Sequence, residues 1–172
     1  GLMHYWTQDR KLMRLSLMTL EQQEVYAEDD PAAPLPSGGG GSSISPDQRY
    51  LVFMAPRLDG PGAPVFQIIR LDLQRQRREV IFEHPEICNP HLQFDPVHGR
   101  DILVQHNAGI RLKPDGSRNV YQTLGCKLFV IDADGGNLRE VPAGPPATLG
   151  ITGHECFIGG TGRILFSAGW VR

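Results

Sequence analysis

Apolar and polar residues along this chain alternate in short runs of two kinds. The first kind is a short strand, a turn built on Pro, Asp or Gly, and a more apolar strand. It reads Ile44-Ser45-Pro46-Asp47-Gln48-Arg49-Tyr50-Leu51-Val52-Phe53, then Phe94-Asp95-Pro96-Val97-His98-Gly99-Arg100-Asp101-Ile102-Leu103-Val104, then Phe157-Ile158-Gly159-Gly160-Thr161-Gly162-Arg163-Ile164-Leu165-Phe166. The second kind is an apolar strand, a polar turn and an outer strand of mixed character. It reads Leu12-Met13-Arg14-Leu15-Ser16-Leu17 with Glu24-Val25-Tyr26, then Ile68-Ile69-Arg70-Leu71-Asp72-Leu73 with Glu79-Val80-Ile81-Phe82, then Leu128-Phe129-Val130-Ile131-Asp132 with Leu138-Arg139-Glu140-Val141. Both patterns are hairpin signals. No helical period of any length stands out, so almost no helix is expected.

The two kinds alternate, and Arg14, Arg70 and Val130 hold equivalent places in successive copies. A hairpin followed by a hairpin makes a four-stranded unit, and such units repeated about an axis are the blades of a β-propeller. The expected fold is therefore all-β: about three four-stranded blades of a larger, seven-bladed ring, cut as 1–36, 42–90, 91–150 and 151–172. A β-sandwich, which also has short strands and regular turns, is the alternative. Three units do not close a ring of about 4–8 blades, so the chain is expected to belong to a longer protein rather than to assemble with copies of itself. Surplus residues fall in loops: a Gly/Ser stretch at 37–43, a Gly/Pro-rich loop at 58–64 and an insertion at 107–125. In repeat folds insertions of this sort gather on one face, often the binding face.

Charge excludes some functions. There are 17 Lys and Arg against 19 Asp and Glu, a formal net charge of −2, which argues against a nucleic-acid partner. The arginines from Arg70 to Arg78 read as a solvated strand and turn. No apolar stretch approaches the roughly 20 residues of a membrane span, and Gly1 to Trp6 carries no signal-peptide pattern. Cys88, Cys126 and Cys156 are odd in number and far apart, with no C-x-x-C pair. They are expected to be buried or half-buried free thiols, suited to a reducing, cytoplasmic setting.

Histidines at strand starts and ends are the candidates for chemistry. His91 and His154 open matching strands and His106 ends the strand that follows His91; delivered from equivalent places in a ring, such imidazoles can converge on a cation or an anionic ligand. His4, His84 and His98 read as residues of turns or ends. Gly159-Gly160-Thr161-Gly162 is read as a turn, because no helix follows it to bind phosphate.

At these residues the chain resembles the oligogalacturonate lyases. The resemblance runs through the segment from Leu12 to Tyr26, His91 and its strand, Gln105-His106-Asn107, Val130-Ile131-Asp132-Ala133-Asp134-Gly135 and Gly153-His154-Glu155-Cys156-Phe157. It implies a seven-bladed propeller that cleaves short uronate oligosaccharides by β-elimination, with a divalent metal, usually manganese, at the channel mouth. His154 matches one metal ligand of that family, and the remaining ligands, from a Gln-x-x-His-x-His segment, would lie beyond residue 172. His91, His106 and Lys127 are the implied substrate-binding residues for an acidic oligosaccharide, Lys127 standing where the family has an arginine and Asn107 where it has a glutamate. The place of the family's arginine base is held by Gln67, an amide that takes up no proton near neutral pH. Arg70, three residues on, should point to the opposite face of its strand. Two functions are therefore carried forward: a metal-assisted lyase, and a non-catalytic Tol-type or WD-like propeller module that docks a protein or glycan.

Overall fold

The computed structural model describes residues 1–36, 41–87, 89–107, 109–121 and 125–169. The described residues form strands and turns with no helix, and therefore none long and apolar enough to cross a membrane. Strands β1 (Leu2–Trp6), β2 (Lys11–Ser16) and β3 (Gln22–Ala27) make an antiparallel sheet. Next, β4 (Ser42–Ile44), β5 (Tyr50–Arg57), β6 (Val65–Asp72) and β7 (Arg77–His84) make a four-stranded sheet in chain order. The third sheet is built on β8 (Gln93–Phe94), β9 (Asp101–Asn107), β12 (Cys126–Asp132) and β13 (Arg139–Glu140). Between β9 and β12 rises a ribbon of β10 (Ile110–Leu112) and β11 (Arg118–Val120). A last hairpin, β14 (Gly150–Phe157) and β15 (Ile164–Gly169), joins β12 through the single pair Cys126↔Ile151.

The paired runs of the sequence thus appear as the hairpins β4–β5, β8–β9 and β14–β15 of the first kind, and β2–β3, β6–β7 and β12–β13 of the second. Two details differ from the regular four-stranded unit. The first sheet has three strands, with β1 in the place that β5 holds in the second. The third sheet also runs on into β14, because the register of β12 and β14 meets at Cys126↔Ile151. Of the loop residues, 37–40 lie outside the described residues, as do Cys88 and the last residues, 170–172.

The near-continuous apolar runs in β5, β6, β9 and β12 mark strands buried on both faces. Along β5, Leu51, Phe53 and Ala55 enter one core with Leu12, Tyr26, Ile69 and Leu71. The alternate residues Val52 and Met54 enter another with Phe66, Ile68, Ile102, Val104, Phe129 and Ile131. The opposite face of the third sheet contributes Leu103 and Leu128 to a third core, with Ile151 and the partly buried Phe157, Ile164 and Phe166. Successive sheets therefore stack face to face in one series, as propeller blades do, rather than as two layers.

Polar clasps fix the stacking at its outer side. Arg70 sits on the face away from Gln67, as the alternation requires. It donates to the Ala133 carbonyl of the next sheet and is ion-paired with Glu79. The turn after β12 lies so close to β7 that a Cβ on Gly135, where φ is +91°, would stand 1.8 Å from the Ile81 carbonyl oxygen. Both insertions meet at the other end: a Cβ on Gly116, in the β10–β11 ribbon, would lie 3.2 Å from Leu58.

Ile102, fully buried in the central core, should lose about 2–5 kcal/mol when cut to alanine, measured by urea denaturation. Gly135→Ala should unfold at lower denaturant than Gly144→Ala. At Gly144, φ is +90° and nothing lies within 4 Å, so only backbone strain of roughly 1–2 kcal/mol applies there.

Candidate functional site

The residues singled out in the sequence gather at the strand ends where β6 begins, β7 and β9 end and β12 begins. The antiparallel registers Phe66↔His84, Gln67↔Glu83, Lys127↔His106 and Cys126↔Asn107 bring these ends level. Because side chains alternate across each strand, the ends carry three separate groups.

The first group faces the first sheet. Gln67, almost fully buried, donates from Nε2 to Glu83 Oε1 at 2.6 Å, and Arg57 Nε donates to the same oxygen at 3.2 Å. These hydrogen bonds, Gln67 first and then Arg57, hold the Glu83 carboxyl below the usual carboxylate range. Glu83 is thus the proton acceptor nearest to Gln67, and its charge is already satisfied.

The second group lies between the second and third sheets. His106 packs edge-on against His84, ring centroids 4.9 Å apart, and against Phe129. The Nδ1 of His84 accepts the backbone N–H of Glu86 at 3.0 Å. Burial pushes His106 down; the Glu86 carboxylate opposes this, and Lys127 adds to it. Burial, and then the neighbouring His106, likewise lower His84. The two rings are therefore neutral near pH 7. His106 Nε2 is buried without a hydrogen bond; the nearest carboxylate oxygen, Glu86 Oε2, is 3.6 Å away, too far for one. Glu86 is instead committed to the Tyr121 hydroxyl and to Arg111, 2.8 Å away, and is held down at about 2 chiefly by that hydroxyl and that guanidinium. Lys127, the cross-strand partner of His106, is exposed and makes no salt bridge with any described residue.

The third group is built where β9 meets β14. Glu155 has no exposed side-chain surface, and its Oε1 lies 3.3 Å from His91 Nδ1. A carboxylate only accepts hydrogen bonds, so the buried Gln105 amide is oriented with its nitrogen toward Glu155, 2.9 and 3.2 Å from the two oxygens. The Gln105 oxygen then accepts from Asn107 Nδ2 at 3.2 Å. Cys126 donates its S–H to Asn107 Oδ1 at 2.8 Å, and Asn89 meets His91 Nε2 at 2.9 Å. Burial pushes the Glu155 carboxyl up, against the pull of its own strand's amide and of His91.

His154 stands next to this group but points away from it. The β14–β15 register shifts on both sides of Gly153, with φ +102° at Gly153 and +59° at His154. The two-residue alternation holds through these shifts: Ile151, Gly153 and Glu155 turn inward, and His154 and Cys156 outward. Cys156 is therefore an exposed thiol rather than a buried one, while Cys126 is half-buried. Of the three imidazoles, His91 and His154 flank Glu155, and His106 belongs to the second group. Among the described residues no set of three or more His, Cys, Asp or Glu is placed to hold a metal. Of these three imidazoles, His154 is the exposed one, so the residues present do not complete a coordination sphere for manganese.

Glu155, Glu86 and His84 were not picked out in the sequence. Glu155 carries a legible signal, a charged residue in step with Ile151 and Gly153 on the inward phase of its strand. Glu86 and His84 carry none, because they meet His106 only through sheet stacking.

The fold has relatives among solved structures. An oligogalacturonate lyase in complex with manganese is 21% identical and superposes with a TM-score of 0.63, covering 96% of this chain and 43% of its own. A second oligogalacturonate lyase, from Vibrio parahaemolyticus, is 18% identical with a TM-score of 0.50, over 80% of this chain and 36% of its own. TolB from Acinetobacter baumannii, 13% identical, has a TM-score of 0.42 over 81% of this chain and 39% of its own. The chain thus spans less than half the length of these propellers, and at such identities the likeness establishes the propeller-type fold. No protein-family model matches the sequence, and no curated protein matches it.

Replacing Glu86 with glutamine should remove the carboxylate that raises His106, so the His106 pKa should fall further, read from its imidazole resonances by NMR. The native chain should lose stability as pH drops from about 4.5, the ordinary value for glutamate, toward about 2, because a carboxyl held low in the folded state stabilises only while ionised. The Glu86→Gln chain should lose less over the same range in acid unfolding.

Proposed function

We propose that this chain is part of an oligogalacturonate-lyase-like propeller whose strand ends at His106 and Lys127 receive an acidic oligosaccharide. One observation carries the reading: an exposed ammonium that makes no salt bridge with any described residue stands across the strand pair from an imidazole that burial keeps neutral. The nearby described guanidiniums are committed, Arg57 to Glu83 and Arg111 to Glu86, which leaves Lys127, among the described residues of these strand ends, to meet a uronate carboxylate. Because His106 is neutral, it adds no charge beside that ammonium. His91, anchored by Glu155 and Asn89, presents its ring from the neighbouring group.

In this reading His154 is one donor to a divalent ion, such as the manganese bound by the first structural relative. Such an ion would withdraw charge from the bound carboxylate, and no step is derived through it, because no group of three or more possible ligands stands together among the described residues. Gln67 takes the place of a base without being able to act as one, and its amide is spent on Glu83. That observation favours the second reading, a non-catalytic Tol-type or WD-like propeller module that docks a protein or glycan.

Calorimetric titration of short oligogalacturonates into the 172-residue chain tests the first step. Saturable binding is expected, weakened about tenfold by Lys127→Ala, the loss of one charge-assisted hydrogen bond. An absence of binding would remove the first reading and leave, of the second, a module that docks a protein. In the full-length protein, added manganese then separates the two readings: ultraviolet absorbance of an unsaturated uronate product grows with a lyase and stays flat with a binding module.

A further inference from the structure

A further polar cluster lies at the other end of the four-stranded sheet from the candidate site. Tyr50 opens β5, Asp72 ends β6 and Arg77 opens β7, and the registers Tyr50↔Asp72 and Asp72↔Arg77 set the three side by side. Arg70 and Glu79, paired across the strands, stand one row further along. Residues directly opposite or two apart share a face. All five therefore project toward the third sheet, where Arg70 donates to the Ala133 carbonyl at 2.6 Å. Asp72 lies roughly 17 Å along β6 from Gln67, so this cluster is separate from Gln67 and Glu83.

The carboxylates of the cluster are already matched. Asp72 Oδ2 accepts from Arg49 Nε at 3.2 Å and from Arg49 Nη2 at 2.8 Å, and its Oδ1 accepts the backbone N–H groups of Gln74 and Arg75 at 3.0 Å each. Glu79 is ion-paired with Arg70. The guanidiniums of Arg49 and Arg70 each lie 4.7 Å from the centre of the Tyr50 ring. Arg75 and Arg77 are added to these closed pairs. Both are exposed, and neither side chain makes a hydrogen bond or salt bridge with a described residue. The Tyr50 hydroxyl has no hydrogen-bond partner among the described residues either. Between them lies a cavity of about 90 Å³, lined by Tyr50, Arg70, Asp72, Arg75, Arg77 and Glu79. At roughly 30 Å³ for each water of the liquid, that is the scale of one tetrahedral oxyanion rather than of a sugar ring.

We infer that this cavity binds a phosphate dianion, free or at the head of a monoester, between Arg75 and Arg77. The two lining carboxylates oppose an anion, but each is offset by its own arginine, Asp72 by Arg49 and Glu79 by Arg70. Arg75 and Arg77 then leave two positive charges in excess. A phosphate group carries about −1.5 to −2 near pH 7 and meets both; a carboxylate would offset one and leave the other. Guanidinium forks pair with phosphate oxygens in bidentate fashion. The closed pairs hold the wall of the cavity, and Tyr50 adds a hydroxyl donor. This site uses none of the residues assigned to an acidic oligosaccharide, so it stands whichever way that assignment falls.

The test follows the backbone amide resonances of Gln74 to Arg77 by NMR while the 172-residue chain is titrated, at constant ionic strength, with inorganic phosphate and separately with methyl phosphate. Saturable shifts at this turn are expected. Methyl phosphate binding as tightly as the free ion identifies a monoester, and binding about tenfold weaker or more identifies the free ion; either result supports the site. Arg75→Gln or Arg77→Gln should weaken binding by about tenfold and leave the thermal midpoint unchanged, because these side chains hold no partner in the fold. Arg163→Gln removes the same charge from the exposed β14–β15 turn and should leave binding as it is. Dimethyl phosphate, with a single charge, should bind at least about tenfold more weakly than the dianions. The proposal is overturned if neither dianion gives saturable shifts, if Arg163→Gln weakens binding as much as Arg75→Gln, or if dimethyl phosphate binds as tightly as the dianions.

Discussion

The structure depends on covering both faces of its sheets. In β5, β6, β9 and β12 apolar side chains project to either side, so none of these strands can rest on a single layer. Each buried leucine, isoleucine or phenylalanine contributes about 1.5–3 kcal/mol, and the contribution exists only when the next sheet is in place. Stacking in series is the arrangement that serves every sheet in turn. The Arg70–Ala133 clasp and the close approach of Gly135 to β7 then fix the spacing at which neighbours meet.

Stacking leaves the strand ends as the places where polar chemistry can collect. Side chains there are half-buried, so each charge needs a partner or a path to water. Glu83 is matched by Gln67 and Arg57, and Glu86 by Tyr121 and Arg111. Lys127 is the exception, and it stands beside an imidazole that burial keeps neutral. A chain with a net charge of −2 thereby keeps, among its described residues, an exposed cation with no salt bridge at these strand ends.

The alternation along β14 decides which of its side chains meet the neighbouring strand. Glu155 lies in phase with Ile151 and Gly153 and turns inward, and His154 turns outward. The inward carboxylate is tolerated because Gln105 and His91 meet it. Those bonds also hold β14 against β9, so the outward imidazole rests on a braced segment. Gln67 has a structural part of its own: it is almost fully buried and donates to Glu83 across the strand pair.

The sequence by itself determined the strands, the hairpins and their repetition, because alternation of apolar and polar residues and the Pro, Asp and Gly turns are local properties of the chain. It also placed Gln67 and Arg70 on opposite faces, since that needs only the two-residue period of a strand. It did not pick out β1 or the β10–β11 ribbon, whose short runs blend into turn-rich segments. The tertiary structure alone decided that His106 meets His84 and Glu86, that His91 meets Glu155, and that Cys156 faces water. Those contacts join residues from different sheets, and the spacing and bulges that bring them together come from packing energies summed over the whole stack.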